Sequence, residues 1–457
     1  MNTAQTLKQG DKITLVINNL GTNAEGVGAY GDYTVFVPFA LPGETVSCRV
    51  DFAKRNVAHA TLLQVETPSN QRVQPSCNYY GKCGGCTLQH AHFDTENAFK
   101  RNLVQGNLQK IGKLQLDVAP TIAGTRYAYR NKISLPVGGK AGNVKIGMYK
   151  RGSHDIVAVN QCVLTDSWAN DLIAIFTTYF NAIGVVPYNQ QTFKGEIRHV
   201  TARFINGQLL ATIVSNGAYK RSLAPLIKLL FDRFVNFGLF VNVNTLKNNV
   251  ILGDVTQHVY GLKHITSTEN GVTYQIQPDS FFQVNDQIKA QLYAHVKQLI
   301  SSENPDVLIE CFSGVGLLTA ELVSDNYDTY AIEIVPSAVD DANAMKQANG
   351  IARLQNICGD VNVELPKLMH NLAGKNTVMV VDPPRKGVGE KICQLILDNP
   401  PQKLVYVSCD SATLARDLAI LSQGYSVELV QPYNMFPNTA HVESVVCLTR
   451  TCNNELR

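Results

Sequence analysis

The stretch Val307-Leu308-Ile309-Glu310-Cys311-Phe312-Ser313-Gly314-Val315-Gly316 decides the fold of the C-terminal half of the chain. Its first five residues predict a buried strand, and the glycines that follow predict a tight turn into a helix. From this stretch onward, strand-like runs alternate with helix-like runs, which predicts a parallel, doubly wound α/β sheet of the Rossmann type. The predicted strands cover residues 307–311, 329–334, 377–381 and 403–408, and the predicted helices cover 316–323, 335–349 and 391–398. Two further strand-like runs within 425–450, split by 432–440, predict an antiparallel edge on that sheet.

Length and composition describe a globular protein of several domains. The chain has 457 residues, too many for one ordinary core, so two to four domains are expected. Hydrophobic residues make up 45% and charged residues 17%, which excludes a disordered chain. No apolar run reaches 18 residues uninterrupted, and the first residues lack the apolar core of a signal peptide. We therefore expect a cytoplasmic protein without membrane contact, in which 11 cysteines favour metal binding, catalysis or burial over disulfides.

Basic residues concentrate in one segment. Residues 71–150 carry 12 Lys and Arg against 3 Asp and Glu, a net charge of +9, whereas residues 1–70 carry −1 and residues 151–457 carry −5. A basic segment beside a mildly acidic remainder favours a face that binds a polyanion such as nucleic acid. A solvated basic surface without a partner is the alternative.

Three domains are predicted along the chain. Residues 1–67 contain several short strands between turn signals, with a turn at 25–28, which predicts a small closed β-barrel. Residues 68–270 mix strand-like and helix-like runs and include a predicted helix at 94–112, which we expect to pack on the C-terminal domain. Residues 271–457 form the α/β domain.

The glycine turn after the first strand of the α/β domain predicts a cofactor site. A dinucleotide fingerprint needs a third glycine three residues after Gly316, where this chain has Thr319, and the Gly-Lys-Ser/Thr of a phosphate-binding loop is absent. Glu333, which ends the next predicted strand, suits two ribose hydroxyls, and Asp360 suits an adenine amino group. Together they favour S-adenosylmethionine, which has ribose and adenine but no phosphate. A tight turn with a purely structural role is the alternative.

Three polar groups occupy strand ends, where open parallel sheets carry their chemistry. Asp382-Pro383-Pro384-Arg385 and Cys409 each follow a predicted strand, and Glu443 lies within the last apolar run. Asp410 and Ser411 can cap a following helix, whose N-terminus would favour a Cys409 thiolate, so Cys409 is a candidate nucleophile. The apolar flanks of Glu443 predict a desolvated carboxyl of raised proton affinity, which makes it a candidate base. The alternatives are a small buried apolar residue for Cys409 and a surface carboxylate for Glu443.

A second cluster of cysteines lies in the N-terminal half. Cys77, Cys83 and Cys86 follow one another with the spacing Cys-x5-Cys-x2-Cys, and Cys162 is a remote fourth. Zinc ribbons favour two Cys-x2-Cys pairs, and only one is present here. Three close cysteines plus a remote one suit an iron–sulfur cluster better, with a chance grouping as the alternative.

The chain resembles the RNA uracil-5-methyltransferase family, and its N-terminal segment resembles the TRAM domain, an RNA-binding barrel. The segments that carry the resemblance are 280–285 (Ser-Phe-Phe-Gln-Val-Asn), 312–316 (Phe-Ser-Gly-Val-Gly), 382–387 (Asp-Pro-Pro-Arg-Lys-Gly), 407–410 (Val-Ser-Cys-Asp) and 441–444 (His-Val-Glu-Ser), together with 25–28 and 37–44 in the barrel. One departure lies at 310–314, where the family usually has Asp-Leu-Phe-Cys-Gly and this chain has Glu-Cys-Phe-Ser-Gly.

The resemblance implies a complete reaction. Cys409 would add to C6 of uracil, C5 would take a methyl group from S-adenosylmethionine, and Glu443 would remove the C5 proton. Gln283, Phe312 and Asp382 would contact cofactor or target base, beside Glu333 and Asp360. The resemblance further implies a 4Fe–4S cluster whose ligands are Cys77, Cys83, Cys86 and Cys162.

The basic segment supplies the predicted RNA contacts. They are Arg126, Arg130, Asn131 and Lys132, with non-specific phosphate binding as the alternative. Within the family that the chain resembles, a barrel together with a cysteine cluster implies 23S ribosomal RNA as the substrate, and transfer RNA is the alternative. We also expect a monomer. An adenine or glutamine amino-methyltransferase would need no Cys409 or Glu443, and a non-catalytic RNA-binding assembly factor would need neither.

Overall fold

The computed structural model describes residues 6–451, and its first five strands close into a barrel. The strands are β1 Lys12–Leu20, β2 Gly26–Tyr30, β3 Tyr33–Val37, β4 Thr45–Lys54 and β5 Val57–Thr67. Their order around the barrel is β1-β2-β3-β5-β4, with β3 and β5 parallel and the other pairs antiparallel. Alternate side chains such as Ile13, Leu15 and Ile17 fill the interior, as the alternating pattern predicts. The predicted closed barrel is therefore confirmed.

Strand β2 corrects the prediction of a turn at 25–28. A Cβ atom on Gly28 would lie 2.3 Å from the carbonyl oxygen of Val16, and one on Gly26 would lie 2.8 Å from that of Ala40. These glycines let neighbouring backbones approach each other inside the barrel. Glycines that favour a turn in the sequence thus mark close packing within a strand.

The middle of the chain forms a seven-stranded sheet covered by helices on one face. Helix α1, Phe93–Lys110, precedes it. The sheet region comprises β6 Lys132–Lys140, β7 Asn143–Tyr149, β8 Ile156–Ala158, α2 Ser167–Ala182, β9 Ile197–Ile205, β10 Gln208–Ser215, α3 Ala224–Phe231, β11 Asn236–Val243 and β12 Val255–Gly261. The strand order is β12-β11-β10-β9-β6-β7-β8, and α2 and α3 share one apolar core with the sheet. We call this region the central domain.

The C-terminal region is a parallel sheet with helices on both faces, as predicted. After the hairpin of β13 Ile265–Glu269 and β14 Val272–Ile276 come α4 Asp286–Ser301, β15 Val307–Cys311, α5 Leu317–Leu322, β16 Asp328–Glu333, α6 Pro336–Ala348, β17 Leu354–Cys358, α7 Val361–Asn371, β18 Thr377–Val381, α8 Glu390–Asp398, β19 Lys403–Ser408, α9 Ser411–Leu421, β20 Tyr425–Tyr433 and β21 Glu443–Arg450. The strand order is β17-β16-β15-β18-β19-β21-β20. Strand β21 runs antiparallel to both β19 and β20, so the predicted antiparallel edge is confirmed.

The sequence pattern does not predict two elements of this domain. Strand β17 has the sequence Leu-Gln-Asn-Ile-Cys, in which apolar and polar residues do not alternate. Helix α7 contains Pro366, a residue that lacks the amide hydrogen a helix interior requires. Both elements are present because the sheet and its neighbouring helices bury their apolar residues, among them Leu354 and Leu365.

Helix α1 packs on the C-terminal sheet, as predicted, and it does so with a buried charge. Asn107 donates to Ser411 Oγ of α9 at 2.8 Å, and Val104 and Leu108 belong to the core of that sheet. Lys100, which its spacing places off the apolar stripe, is fully buried. It forms an ion pair with Glu96 at 3.2 Å and donates to the Phe436 carbonyl oxygen at 3.0 Å.

Within residues 6–451, no helix combines the length and the apolar character needed to cross a bilayer.

Candidate active site

The predicted catalytic residues converge on one cavity at the carboxyl edge of the parallel strands. Phe312 follows β15, Asp382 follows β18 and Cys409 follows β19, so all three reach the same edge. Glu443 opens the antiparallel strand β21, and because Ser444 pairs with Ser408, it arrives beside Cys409. These four residues and Gln283 line a cavity of about 520 Å³. The sequence places these groups at strand ends, and the sheet order brings them together.

Glu443 is a carboxyl group held in an environment that favours its neutral form. Only 6% of the residue is exposed. Burial raises the pKa of Glu443 to about 8, and the nearby Asp382 carboxylate adds to this effect, whereas Arg385 opposes it. The predicted desolvation is present, and the group titrates near the working range of a general base.

Cys409 corrects one part of the prediction. Asp410 does cap α9, accepting from the amides of Ala412 and Thr413 at 3.0 Å each. However, burial and the charges of Glu443 and Asp382 raise the pKa of the Cys409 thiol to about 11, with Arg385 acting in the opposite direction. Burial, followed by the two neighbouring carboxylates, therefore opposes the expected preference for thiolate in the protein without ligands.

Two further acids surround the cavity. Burial raises the pKa of Asp382 to about 7 and that of Glu310 to about 8. Glu310 is 1% exposed, and its Oε2 has no hydrogen-bond partner among residues 6–451. Three carboxyl groups with raised pKa values around one cavity suit a cationic ligand, which would favour their ionised forms. The sulfonium and ammonium groups of S-adenosylmethionine are such charges, so the residues present fit this cofactor.

The glycine turn leaves room for a ligand beside the backbone. Gly314 has a φ of +55° and would have nothing within 4 Å of an added Cβ, whereas Gly316 packs closely on Ala342 and Met345. Glu333 shapes this turn: its carboxylate accepts from the amide of Gly314 at 3.0 Å and from that of Val335 at 2.8 Å. The turn thus leaves space for a ligand beside Gly314, while the packing of Gly316 and the hydrogen bonds of Glu333 hold its backbone in place.

Two predicted cofactor contacts lie off the cavity wall. Glu333 is half-buried behind the turn, and Asp360 is exposed. Asp360 caps α7 by accepting from the amide of Asn362 at 2.8 Å. Both follow strands of the same sheet, β16 and β17, so they lie at the edge that carries the cavity. Their contacts with ribose and adenine stay predictions.

The loop that carries Gln283 is held from the central domain. Asn131 donates through Nδ2 to the Gln283 carbonyl oxygen and to Asp286 Oδ1, at 3.0 Å each. Arg203 donates to the carbonyl oxygens of Phe282 at 3.3 Å and Ser280 at 3.1 Å, and it is 1% exposed. The sequence does not predict this role of Arg203, because the residue lies in a strand and belongs to no motif.

The predicted RNA contacts are largely engaged inside the protein. Arg126 donates to Asn438 Oδ1 at 2.9 Å and to the carbonyl oxygens of Leu88 and Ala91 at 3.0 and 2.8 Å. Arg130 Nε donates to the Lys132 carbonyl oxygen at 2.9 Å. Protein acceptors thus already engage donors of Arg126 and Asn131, and their contact with RNA stays a prediction.

Lys132 is only partly available to a ligand. It is half-buried, and burial together with the nearby Arg203 lowers its pKa to about 8. A phosphate would find a weaker charge there than on an exposed lysine. Arg130 and Lys132 as RNA contacts stay predictions.

The four predicted cluster ligands lie close together. Cys77, Cys83 and Cys162 all contribute to raising the pKa of the Cys86 thiol to about 12, after the larger effect of burial. The amide of Gly85 donates to Cys83 Sγ at 3.4 Å. None of the ten cysteines within residues 6–451 forms a disulfide.

The spread of these thiols matters for the kind of metal. Thiolates around a single zinc at Zn–S ~2.3 Å stand within about 4 Å of one another. In the part of the chain that the structure describes, no group of three or more His, Cys, Asp and Glu side chains is arranged for one metal ion. The four thiols thus approach one another without forming a single-ion site.

Comparisons with known proteins agree with this architecture. A family model described as tRNA (uracil-5-)-methyltransferase matches residues 245–451, and the TRAM domain model matches residues 7–63. A protein of Listeria innocua called an uncharacterized RNA methyltransferase is 35% identical over 98% of this chain and 99% of its own length. A protein of Clostridium acetobutylicum with the same description is 35% identical over 97% of this chain and 98% of its own.

A solved structure shares the whole fold. It is that of Pyrococcus abyssi tRNA (uracil-54, C5)-methyltransferase in complex with S-adenosyl-L-homocysteine. The likeness covers 95% of this chain and 99% of that chain, with a TM-score of 0.78 and 24% identity. The arrangement of barrel, central domain and α/β domain is therefore shared with a known protein.

Proposed function

Because this chain belongs to the family of RNA uracil-5-methyltransferases with a TRAM domain, we propose that it methylates C5 of a uracil in RNA with Cys409 as nucleophile and Glu443 as base. The chain is an S-adenosylmethionine-dependent RNA methyltransferase, as its family and its relatives indicate. The observation that carries the proposed roles is that Cys409 and Glu443 line the same cavity and that the charge of one raises the pKa of the other.

Uracil C5 is a weak nucleophile until C6 carries a substituent. The Cys409 sulfur adds to C6, which places electron density on C5, and S-adenosylmethionine supplies the electrophilic methyl group that C5 takes up. Glu443 then removes the C5 proton, the C5–C6 double bond re-forms, and the sulfur leaves as thiolate. The products are 5-methyluracil and S-adenosylhomocysteine.

Burial and the acids of the cavity explain why Cys409 begins as a thiol. With a pKa near 11, it holds its proton until a positive charge arrives. Arg385 already acts in that direction, and a cationic cofactor would add a second positive charge beside Asp382 and Glu310. Gln283, Phe312 and Asp382 would contact cofactor or base from the cavity wall, and Glu333 and Asp360 would reach the ribose and adenine. In RNA that is paired, the uridine must leave its stack to reach Cys409.

Covalent trapping tests the roles of Cys409 and Glu443. RNA that contains 5-fluorouridine has no C5 proton to remove, so the wild-type protein should form an adduct that survives denaturing gels when S-adenosylmethionine is present. Cys409→Ala should form none. Glu443→Gln should form an adduct even with ordinary RNA, because release requires removal of the C5 proton. An adduct with Cys409→Ala would exclude Cys409 as the nucleophile.

Ribosomal RNA is our first candidate substrate, and transfer RNA is a second one that a specific observation favours. We infer 23S ribosomal RNA from the combination of a barrel and a cysteine cluster. Against this, a P. abyssi enzyme named for transfer RNA shares the fold over 95% of this chain, so the barrel is compatible with either substrate. Mass mapping of 5-methyluridine in both RNA pools of a deletion strain distinguishes them.

We also propose that Cys77, Cys83, Cys86 and Cys162 hold a 4Fe–4S cluster. Four neighbouring free thiols match the four-thiolate ligand set of such a cluster, and a Cβ at Gly84 would lie 2.8 Å from the Tyr149 carbonyl oxygen, so this loop packs closely on the neighbouring backbone. Anaerobically purified protein should be brown and contain about four irons per chain. A colourless protein with one zinc would contradict the proposal. Cytoplasmic location and a monomeric state stay predictions.

A further inference from the structure

The central domain carries a second groove, which shares no lining residue with the catalytic cavity. It lies where β9 begins, between the loops 150–155, 187–194 and 244–251, and one of its cavities has a volume of about 500 Å³. A neighbouring cavity of about 570 Å³ shares Tyr149 and His154 with it and continues toward Gly84 and Gly85. We call this continuous feature the central groove.

Arg151 is the one cation of the central groove that pairs with a carboxylate within residues 6–451, Glu25 at 3.2 Å, and the other cations of the groove have no such partner there. Arg198 is 2% exposed, and its guanidinium donates to the carbonyl oxygens of Asn244 at 2.9 Å and Leu246 at 2.6 Å. The guanidinium also donates to Asn244 Oδ1 at 3.1 Å and to the Asn248 carbonyl oxygen at 3.3 Å, whereas its Nε has no hydrogen-bond partner within residues 6–451. A buried guanidinium without an anion is costly unless a ligand supplies one. The other charged residues that line the groove are Lys145, Lys150, Arg151, Lys247 and Asp155.

Flat side chains line the same groove. The rings of Tyr149 and His154 meet edge to face at 5.5 Å, and the Arg198 guanidinium lies over the Tyr188 ring at 4.6 Å. Phe193, at the outer end of the groove, is 42% exposed, and the Lys247 ammonium lies 5.1 Å from the centre of its ring. Exposed aromatic and guanidinium planes are the surfaces on which unstacked bases pack.

Side-chain amides complete the lining. Gln190 reaches only the Tyr149 hydroxyl, at 3.4 Å, and the side chains of Gln191 and Asn249 make no hydrogen bond within residues 6–451. Amides offer one acceptor and two donors each, which matches the edges of unpaired bases. Cations of which only Arg151 pairs with a carboxylate, stacking planes and unused amides together describe a site for nucleotides.

We propose that the central groove binds one or two unpaired nucleotides of the RNA substrate, with a phosphate facing Arg198 and a base stacked on Tyr149 or His154. This inference rests on the proposed function in that the ligand is RNA, and it adds a second contact apart from the catalytic cavity. A recess of this volume, within the ~300–1,000 Å³ of small-ligand sites, admits single nucleotides and excludes a duplex. The substrate must therefore offer a single-stranded segment beside the target uridine.

Short RNA probes test the groove in the full-length, anaerobically purified protein. The probes are uridine and adenosine tetranucleotides and a 12-base-pair duplex, and fluorescence anisotropy at fixed salt measures the affinity. His154→Ala and Lys247→Ala alter exposed side chains, so they should fold normally. We expect His154→Ala to weaken tetranucleotide binding by about five-fold or more, since it removes one stacking surface. The duplex affinity should stay within two-fold.

Lys228→Ala is the matched control for Lys247→Ala, because Lys228 is an exposed lysine on α3, which covers the opposite face of the same sheet. It should leave every affinity within two-fold. A tetranucleotide containing 4-thiouridine should crosslink to peptides from 145–156 or 187–198. Crosslinks confined to other regions, unchanged affinity in His154→Ala, or an equal loss for the duplex would overturn the proposal. Competition by pentaglutamate as effective as that by RNA would also overturn it, in favour of an acidic protein partner.

The two proposals fail separately. If the wild-type protein forms no adduct with 5-fluorouridine RNA, the proposed reaction fails, whatever the groove variants do. If the adduct forms and His154→Ala binds tetranucleotides like the wild type, only the groove proposal fails.

Discussion

Glu443 keeps a proton that an exposed glutamate would release, and this has consequences beyond catalysis. Its pKa is raised to about 8 by burial, and Asp382 beside it is raised to about 7. In the unfolded chain both carboxyls return to ordinary values near 4. The site therefore costs stability at neutral and alkaline pH, as sites built for chemistry commonly do.

Glu443→Gln should stabilise the protein increasingly as pH rises. Between about pH 4.5 and pH 8 the folded Glu443 holds a proton that the unfolded chain has lost, so the free energy of unfolding of the wild type falls with rising pH. Glutamine removes this dependence. Melting temperatures from pH 5 to 8.5 should show a growing advantage for the variant.

Glu428→Gln, an exposed change on β20 of the same sheet, serves as the control and should show no such trend. A constant difference between Glu443→Gln and wild type across the pH range would contradict the buried neutral carboxyl.

Cys409 should react slowly with iodoacetamide until the pH is high. Only the thiolate is alkylated, and with a pKa of about 11 its population rises about tenfold per pH unit below that value. Peptide mass spectrometry at pH 7.5 should find the exposed Cys358 modified first. At pH 9, Glu443→Gln should speed the modification of Cys409, because it removes a negative charge beside the sulfur. Rapid alkylation of Cys409 at pH 7.5 would contradict this environment.

At the scale of elements, helix α1 fixes the segment that leads into β21. Lys100 donates to Asn434 Oδ1 and to the Phe436 carbonyl oxygen, and Glu96 accepts from Asn434 Nδ2 at 3.0 Å and from the Asn438 amide at 2.7 Å. Phe436 itself lines the catalytic cavity. A buried ion pair thus positions one wall of the site from outside the α/β domain.

Lys100→Met should be strongly destabilising. Removing Lys100 leaves the buried Glu96 with Arg126, at 3.7 Å, as its remaining cationic partner, and loss of one partner of a buried ion pair costs about 3–5 kcal/mol. Adding Glu96→Gln to the variant should recover part of this loss, because the poorly compensated charge disappears. Urea unfolding measures both. Lys403→Met, which breaks the Lys403–Glu303 pair at the first residue of β19, away from the cavity, is the control for activity.

In protein that remains folded, Lys403→Met should have a kcat close to that of the wild type. Lys100→Met should lower kcat, because the cavity wall that Phe436 forms would be displaced. Equal kcat values in the two variants would mean that Glu96 and Lys100 stabilise the fold without positioning the site.

The element scale also shows what local sequence can predict. Strand ends carry Phe312, Asp382 and Cys409 in recognisable motifs, and one sheet order suffices to gather them. The roles of Arg203 and Lys100 depend on partners about 80 and more than 300 residues away, and no local spacing encodes such pairs. The glycines of β2 favour a turn in the local sequence, because the residues that they contact closely lie elsewhere in the chain.

At the scale of the whole molecule, the net charge of a segment overstates its binding surface. Several cations of 71–150 are internal: Arg72 pairs with Glu44 at 2.5 Å, Lys100 with Glu96, and Arg126 donates to three protein oxygens. Lys145 and Lys150 are exposed instead. Their neighbourhood is the central groove, where their charge is available to phosphates.

The salt dependence of RNA binding should follow exposure rather than segment charge. Lys145→Ala with Lys150→Ala should reduce the slope of log K against log salt by about two, one phosphate for each lysine. Arg126→Ala should lower the melting temperature and leave that slope unchanged, because its donors serve Asn438, Leu88 and Ala91. A reduced slope for Arg126→Ala would mean that this residue does contact an RNA phosphate.

The contact between α1 and the segment before β21 also limits when α1 can be buried during translation. Lys100 and Asn434 are separated by 334 positions, so the helix leaves the ribosome long before its acceptors exist. At ~5–20 residues per second the interval is on the order of 20 to 70 s. During that time the barrel can fold on its own strands, while the Glu96–Lys100 pair of α1 lacks the segment that buries it. The last residues translated therefore complete a helix made near the beginning, and a ribosome that stalls before residue 434 leaves α1 without the acceptors that bury its charge.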